Sequence, residues 1–173
     1  MRPDDTLKKF PEIQTPRLLI KALSGNDAAA LQKLTNHPEI TDIVHFLPTP
    51  FTILDAQKLI TGEDNGRDQF IGVWMHGHDE LAAVIGTHLH NECEIEVGYW
   101  VYPARQRQGI ARESVATLLA KLADIFPERQ IIAECRLENQ PSWQLLEKLG
   151  FKATRDPGRR PERYRFSWKG KIS

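Results

Sequence analysis

The sequence has few cysteines, a short supply of long apolar runs and no apolar core near its start, and each shortage excludes a class of protein. Its two cysteines, Cys93 and Cys135, lack a paired spacing such as C-x-x-C, so we expect no disulfide framework. The start MRPDDTLKKFPEIQ does not resemble a signal peptide. Every apolar run ends well before the roughly 18 to 20 residues of a membrane span. We therefore expect a reduced, cytoplasmic protein with no membrane partner.

An excess of charge is also absent, because Lys+Arg and Asp+Glu both number 23. The chain thus lacks the basic surplus of a non-specific nucleic-acid binder, and any recognition of phosphate must be local. Neither G-x-x-x-x-G-K-[ST] nor G-x-G-x-x-G occurs in the sequence. These absences exclude the phosphate loops of P-loop nucleotidases and of dinucleotide enzymes.

The length of 173 residues and a hydrophobic share of 40% predict one domain over residues 1–173, with a core at about 15–169. Patterns along the chain predict a strand, two helices, an antiparallel meander, a helix, a strand, a helix and a final hairpin. Their expected ranges are 17–23, 28–34, 51–60, 70–101, 111–126, 130–136, 142–149 and 151–168. Strand, helix and strand at 93–136 form a βαβ unit, so we predict an α/β (α+β) fold.

The turn Gln106-Arg-Gln-Gly-Ile-Ala111 lies between the predicted strand and helix of that βαβ unit. A helix beginning there leaves backbone N–H groups unpaired at the carboxyl end of the strand, and its dipole favours an anion. Gly109 allows close approach of the backbone, and the small Ala111 allows close packing of the first turn. The pattern indicates a site for a pyrophosphate.

The same hexapeptide resembles the Q/R-x-x-G-x-G/A acetyl-CoA signature of the Gcn5-related N-acetyltransferase (GNAT) superfamily. Three further segments, TPRLLI at Thr15, EVGYWV at Glu96 and N-x-x-S at Asn139 followed by LGF, resemble the branch of the ribosomal-protein N-terminal (alanine/serine) acetyltransferases. The resemblance runs from Thr15 to Trp168. It implies a GNAT-like fold, with a central mixed, mostly antiparallel sheet flanked by helices and a βαβ acetyl-CoA-binding core.

The resemblance implies an enzyme that transfers the acetyl group of acetyl-CoA, its co-substrate, directly to a primary amine. The N-terminal amine of a protein or peptide is the first candidate acceptor, while a polyamine, an antibiotic and an amino acid stay open. A monomer or homodimer with no metal is expected. The alternative is a non-catalytic acyl-CoA-binding sensor or interaction domain. The cofactor-binding residues that the family resemblance implies are Tyr99, Trp100, Val101, Gln106, Arg107, Gln108, Gly109, Ile110, Ala111, Arg112, Asn139 and Ser142.

An amine must be neutral to attack a thioester, so a carboxylate at the cleft is the natural base. Glu96 is the candidate, with Glu94 in reserve on the same strand face by alternation; the alternative is that both face solvent. By resemblance, Ser142 lies near the sulfur and either protonates or solvates the leaving thiolate, and Asn139 either orders the pantetheine or caps the helix. Leu146 stands where many relatives have a tyrosine acid, which puts acid catalysis in doubt.

Two other features allow rival interpretations. Histidines at positions 76, 78, 88 and 90, with Cys93 nearby, form an incomplete set of metal ligands, and hairpin spacing places them far apart. The basic stretch at residues 155–165 is typical of a solvated hairpin end, and recognition of an acidic substrate, or of RNA or a ribosomal surface, is the alternative.

Overall fold

The computed structural model describes residues 6–44, 46–62 and 66–170. One sheet of eight strands runs through them in the order β1-β2-β3-β4-β5-β6-β8-β7, and only β5 and β6 pair in parallel. The strands are β1 Ile13–Gln14, β2 Leu18–Ala22, β3 Asp68–Met75, β4 Leu81–His90, β5 Glu94–Val101, β6 Gln130–Arg136, β7 Phe151–Pro157 and β8 Arg163–Trp168. The predicted mixed, mostly antiparallel sheet is confirmed.

Within the described residues, five α-helices flank the sheet. They are α1 Ala28–Thr35, α2 Pro38–Thr41, α3 Ile53–Thr61, α4 Ile110–Ile125 and α5 Gln140–Lys148. Thr52 caps α3 as expected, with its hydroxyl accepting a hydrogen bond from the N–H of Asp55 at 3.1 Å. Helix α5 begins two residues before the predicted Ser142, because Asn139 is its N-cap and Pro141 fits the first turn. The sequence patterns did not predict β1 or α2, which are too short to show a period.

The final hairpin has a shorter loop than the sequence predicts. β7 continues to Pro157, three residues beyond the predicted end at Thr154, with a shift of register between Ala153 and Pro157. A proline is tolerated there because β7 is an edge strand whose N–H groups need no partner on one side.

The two faces of the sheet carry separate cores, and β5 contributes to both by alternation. Ile95 and Val97 are buried against α4, whose predicted apolar positions Val115, Leu118, Leu119 and Leu122 are all buried. Trp100 points to the other face, into a cluster that includes Phe70 and residues of α1 and α3. The indole Nε1 of Trp100 donates a buried hydrogen bond of 3.0 Å to the hydroxyl of Thr35.

The pairing between β5 and β6 is short. Among the described residues it is confined to Glu94 with Gln130, Ile95 with Ile131, and Glu96 with Ile132. Both strands continue beyond these pairs, to Val101 and Arg136, so the sheet opens between them. The βαβ connection places the start of α4 at the carboxyl end of β5, beside this opening.

Candidate active site

The predicted phosphate turn has the required left-handed backbone at its helix end. Gly109 is the N-cap of α4 and has a φ of 72°, a region that costs an L-residue about 1–2 kcal/mol. A Cβ at Gly109 would lie 3.2 Å from Nη2 of Arg17. Glycine is therefore favoured by the backbone angle and by the approach of an arginine, whereas the sequence suggested room for a ligand.

Arg17, which lies near the start of the sequence, holds this turn in place. Its Nη2 donates to the carbonyl oxygen of Gln108 at 2.8 Å, and its Nε donates to Oε1 of Glu113 at 2.8 Å. The hydroxyl of Thr15 donates to the other oxygen of Glu113 at 2.6 Å. Burial would raise the pKa of Glu113, but the hydrogen bonds from Thr15 and Arg17 outweigh it, and the pKa is lowered. The sequence showed the T-x-R segment without indicating this role.

A groove of about 610 Å³ begins at the turn and runs between α2, α5 and the end of β5. Eleven of the twelve residues predicted to bind the cofactor line it. The exception is Gln108, whose carbonyl oxygen instead accepts the hydrogen bond from Arg17. The first turn of α4 leaves backbone N–H groups without intrahelical partners at this groove, so its residues fit a pyrophosphate-bearing ligand such as acetyl-CoA.

A second, smaller cavity of about 90 Å³ adjoins the groove. Its wall includes Glu96, the polar side chains of His88, Arg160 and Arg163, and an apolar rim that contains Ile43 and Phe46. The groove and the cavity share six lining residues: Ile43, Val44, Tyr99, Trp100, Asn139 and Ser142. The two spaces therefore meet where β5 and β6 separate. Sequence analysis did not identify His88, or which arginines reach this cavity.

Glu96 is buried, with 4% of its surface exposed, so the alternative of a solvent-facing strand residue is wrong for it. Its Oε1 is 2.8 Å from Nε2 of His90, and its Oε2 accepts a hydrogen bond of 2.5 Å from Nη2 of Arg160. Burial alone would raise the pKa of Glu96, but Arg160 and then the His90 hydrogen bond outweigh it, so its pKa is lowered. The carboxylate is held ionised.

Glu94 lies on the same strand face but is fully engaged elsewhere. Its Oε1 accepts from Nη2 of Arg159 at 2.8 Å, and its Oε2 accepts from Arg165. The carboxylate of Glu134 on β6 accepts the backbone N–H groups of Arg159 and Arg160 at 3.1 and 3.2 Å. Arg159, Arg160 and Arg165 of the basic stretch therefore contact β5 and β6, which corrects the interpretation of residues 159–165 as a solvated hairpin end.

Two hydroxyl groups meet at the boundary between the groove and the cavity. The phenol oxygen of Tyr99 is 3.3 Å from Oγ of Ser142, and burial raises the pKa of Tyr99 to about 12. The side chain of Asn139 accepts from the N–H of Ser142 at 3.4 Å, which is the capping role considered above. Leu146 is buried and lines the cavity. A tyrosine hydroxyl thus reaches Ser142 from β5 although position 146 is leucine.

The histidines of the rival metal interpretation have separate partners. His76 contacts the carbonyl oxygen of Thr15 at 2.8 Å, and His88 contacts Oδ1 of Asp68 at 2.7 Å. His90 contacts Glu96, as described above. In the described part of the chain, no group of three or more His, Cys, Asp or Glu side chains is arranged to hold a metal ion. Likewise, no described helix is long and apolar enough to cross a membrane.

Comparison with known proteins agrees with this geometry. The acetyltransferase (GNAT) domain family matches residues 17–152. YnaD of Bacillus subtilis, named an uncharacterized N-acetyltransferase, is 26% identical over 142 residues, which cover 81% of this chain and 82% of that protein. The chain belongs to the GNAT family of acetyl-CoA-dependent N-acetyltransferases.

Solved structures show the same fold. A GNAT-family acetyltransferase from Bacillus anthracis superposes with a TM-score of 0.77 at 23% identity, covering 91% of this chain and 97% of that one. RimL, a ribosomal-protein α-N-acetyltransferase solved with coenzyme A in a disulfide with one of its cysteines, has a TM-score of 0.78 at 17% identity and covers 91% and 96%.

Proposed function

We propose that the acceptor of this N-acetyltransferase is the α-amino group of a peptide or protein N-terminus, and that Glu96 and Ser142 carry the transfer. The observation that most supports this assignment of the catalytic residues is that the groove and the cavity meet. The buried carboxylate of Glu96 lies on the cavity, and the Tyr99–Ser142 hydroxyl pair lies where cavity and groove join. RimL, which shares the fold, is named for an α-N-acetyltransferase activity.

The acidity of the acceptor ammonium favours an α-amine over a lysine, whatever the pKa of the base. An α-amino group titrates at about 8 and a lysine at about 10.4, so the lysine ammonium is much harder to deprotonate. A carboxylate whose pKa is lowered below its ordinary 4.5 is a weak base, and it works best on the more acidic ammonium. Glu96 accepts the amine proton directly or through a water molecule, with Arg160 and His90 fixing its orientation.

Bound acetyl-CoA supplies the acetyl group as an activated thioester. Backbone N–H groups at Gly109 and the first turn of α4 hold the pyrophosphate, and Tyr99, Trp100 and Val101 form the wall along the pantetheine arm. Ser142 donates a hydrogen bond to the sulfur as the thiolate leaves, and solvent supplies the proton that converts the thiolate to the thiol. Tyr99 stays protonated at neutral pH because its pKa is raised to about 12, so it donates a hydrogen bond that keeps Ser142 oriented. Cys93 and Cys135 are both free thiols, which suits the cytoplasmic location that belongs to this proposal.

Release of coenzyme A in the presence of different amines tests the acceptor. The panel contains peptides with a free α-amine, the same peptides N-formylated but carrying lysine, polyamines, aminoglycosides and free amino acids. We expect turnover with the free α-amine peptides and little with the N-formylated ones. Turnover confined to polyamines or aminoglycosides would refute the proposed acceptor.

The catalytic assignment is tested with Glu96→Gln and the matched control Glu94→Gln. Loss of the base should lower kcat/KM by about 100-fold or more, while calorimetry shows acetyl-CoA binding changed by less than about twofold. Glu94 is held by Arg159 and Arg165, and its loss should cost less activity. Equal losses in the two variants would contradict the role of Glu96.

A further inference from the structure

We propose that the acceptor carries a carboxylate close to its amine, and that the guanidinium of Arg163 binds this carboxylate in the cavity. The acceptor would be a peptide with aspartate or glutamate at its first or second position. The inference rests on the proposed function, since it concerns the acceptor side of the same site.

The charges of the ion-pair cluster on β5, β6, β8 and the loop before β8 do not balance. In this cluster the carboxylates of Glu94, Glu96 and Glu134 meet five arginines, which are Arg136, Arg159, Arg160, Arg163 and Arg165. Glu94 pairs with Arg159 and Arg165, and Glu96 pairs with Arg160, which also lies 4.0 Å from Glu134. In the part of the chain that the structure describes, Arg136 and Arg163 form no ion pair. The surplus of positive charge therefore lies at these two residues.

Arg163 is the member of this pair that faces the cavity. It opens β8 opposite Arg136 in the register of β6 and β8, and it lines the cavity together with Arg160. Its Nη2 donates to the carbonyl oxygen of Ile43 at 2.9 Å, which holds the side chain against the rim of the cavity. A guanidinium has five N–H donors, so further donors stay available to a ligand.

Two observations indicate that the cluster lacks an anion. Nε of Arg136, which lies opposite Arg163 in the register of β6 and β8 and outside the cavity wall, is buried and has no hydrogen-bond partner in the described part of the chain, although buried N–H groups are nearly always paired. Burial lowers the pKa of Arg163, and the positive charges of Arg160 and Arg136 lower it further, with the carboxylate of Glu134 offsetting only part of this effect. A carboxylate bound at Arg163 would offset this repulsion and form charge-assisted hydrogen bonds, which are about twice as strong as neutral ones.

The alternative is that Arg163 only tethers Ile43. A tether would affect every acceptor equally, whereas a carboxylate site would affect only acceptors that carry the charge. The test therefore compares matched pairs of acceptors: peptides with Asp or Asn, and with Glu or Gln, at position one or two, and free amino acids with their carboxamides. Release of coenzyme A at saturating acetyl-CoA gives kcat/KM for each.

For the wild-type protein we expect kcat/KM to favour the carboxylate member of each peptide pair by about 10- to 100-fold. Arg163→Gln should abolish this preference by lowering kcat/KM much more for the carboxylate member than for the amide member of each pair, and Arg163→Lys should keep part of it. The control is Arg155→Gln, an exposed arginine of β7, which should keep the full preference. Melting temperatures show whether each variant is folded.

The outcomes separate this inference from the proposed function. Peptides acetylated without any preference for the carboxylate, or a uniform loss on both members in Arg163→Gln, would overturn the carboxylate site while the peptide acceptor stands. Acetylation of free amino acids alone, with a carboxylate preference that Arg163→Gln removes, would support the site and refute the peptide acceptor.

Discussion

The groove beside Gly109 and the smaller cavity beside Glu96, proposed for acetyl-CoA and for the acceptor, adjoin but depend on different parts of the chain. The groove depends on the backbone of one continuous turn, where Gly109 takes a left-handed φ and α4 begins. The cavity depends on side chains from distant segments, such as Glu96 and Arg160, which lie 64 residues apart. A backbone site should tolerate most side-chain changes, whereas a site of paired charges should respond to single substitutions.

The largest expected effect is on acetyl-CoA binding in the groove, which depends on the backbone of the turn at Gly109. Gly109→Asp forces a Cβ and a negative charge into the turn, and we expect acetyl-CoA binding to weaken by about 100-fold or more. Calorimetry with acetyl-CoA measures it. The matched control is Arg107→Gly, since Arg107 also has a positive φ, of 65°, and glycine adopts it freely. Its loss of an exposed cation should change affinity by less than about threefold. A larger loss of affinity in the Arg107 variant than in the Gly109 variant would show that the groove depends on side-chain charge more than on the backbone.

An intermediate effect, on kcat, is expected for the residues between the groove and the cavity. Ser142→Ala should lower kcat by about 10- to 100-fold, and Tyr99→Phe by a smaller factor of about 3 to 10, because Tyr99 acts through Ser142. The double variant should cost less than the product of the two losses, since the residues act as a unit. Steady-state kinetics measure all three.

The pH dependence of those rates adds an independent check. The pKa of Tyr99 is raised to about 12, so its hydroxyl stays protonated through the assay range. The rate should therefore not fall between about pH 8 and about pH 10 on account of Tyr99. A fall in that range that disappears in Tyr99→Phe would show that the phenol ionises there.

The smallest effect is on the stability of the protein and comes from the ion pair of Glu96 in the cavity. The folded pKa of Glu96 is lowered from 4.5, so its ion pair stabilises the fold above that value and loses this contribution as the pH falls through the folded pKa. Glu96→Gln should lower the melting temperature by about 2–4 °C at neutral pH. The difference from wild type should shrink only below about pH 4.5. Thermal melts across pH measure it, and a difference that grows in acid would contradict the sign of the shift.

The groove and the cavity also differ in how far the sequence could predict them. Helix period and strand alternation located α4 and β6, and the turn at Gly109 is a local pattern of consecutive residues. The partners of Glu96 could not be read in this way, because strand alternation gives a face without saying what covers it. Tyr99 and Ser142 are 43 residues apart, and no spacing rule relates them. The alternating glutamates of β5 and the basic stretch beyond Pro157 were visible separately, and their opposite charges were the available signal that they pair.

The short pairing of β5 with β6 has a kinetic consequence. Because only three pairs join these strands, in the region that the structure describes, the groove and the cavity are separate spaces that meet in the gap. We expect neither substrate to obstruct the path of the other, so the geometry itself imposes no fixed order of arrival. Any order that emerges in turnover would then reflect the strength of binding in each compartment.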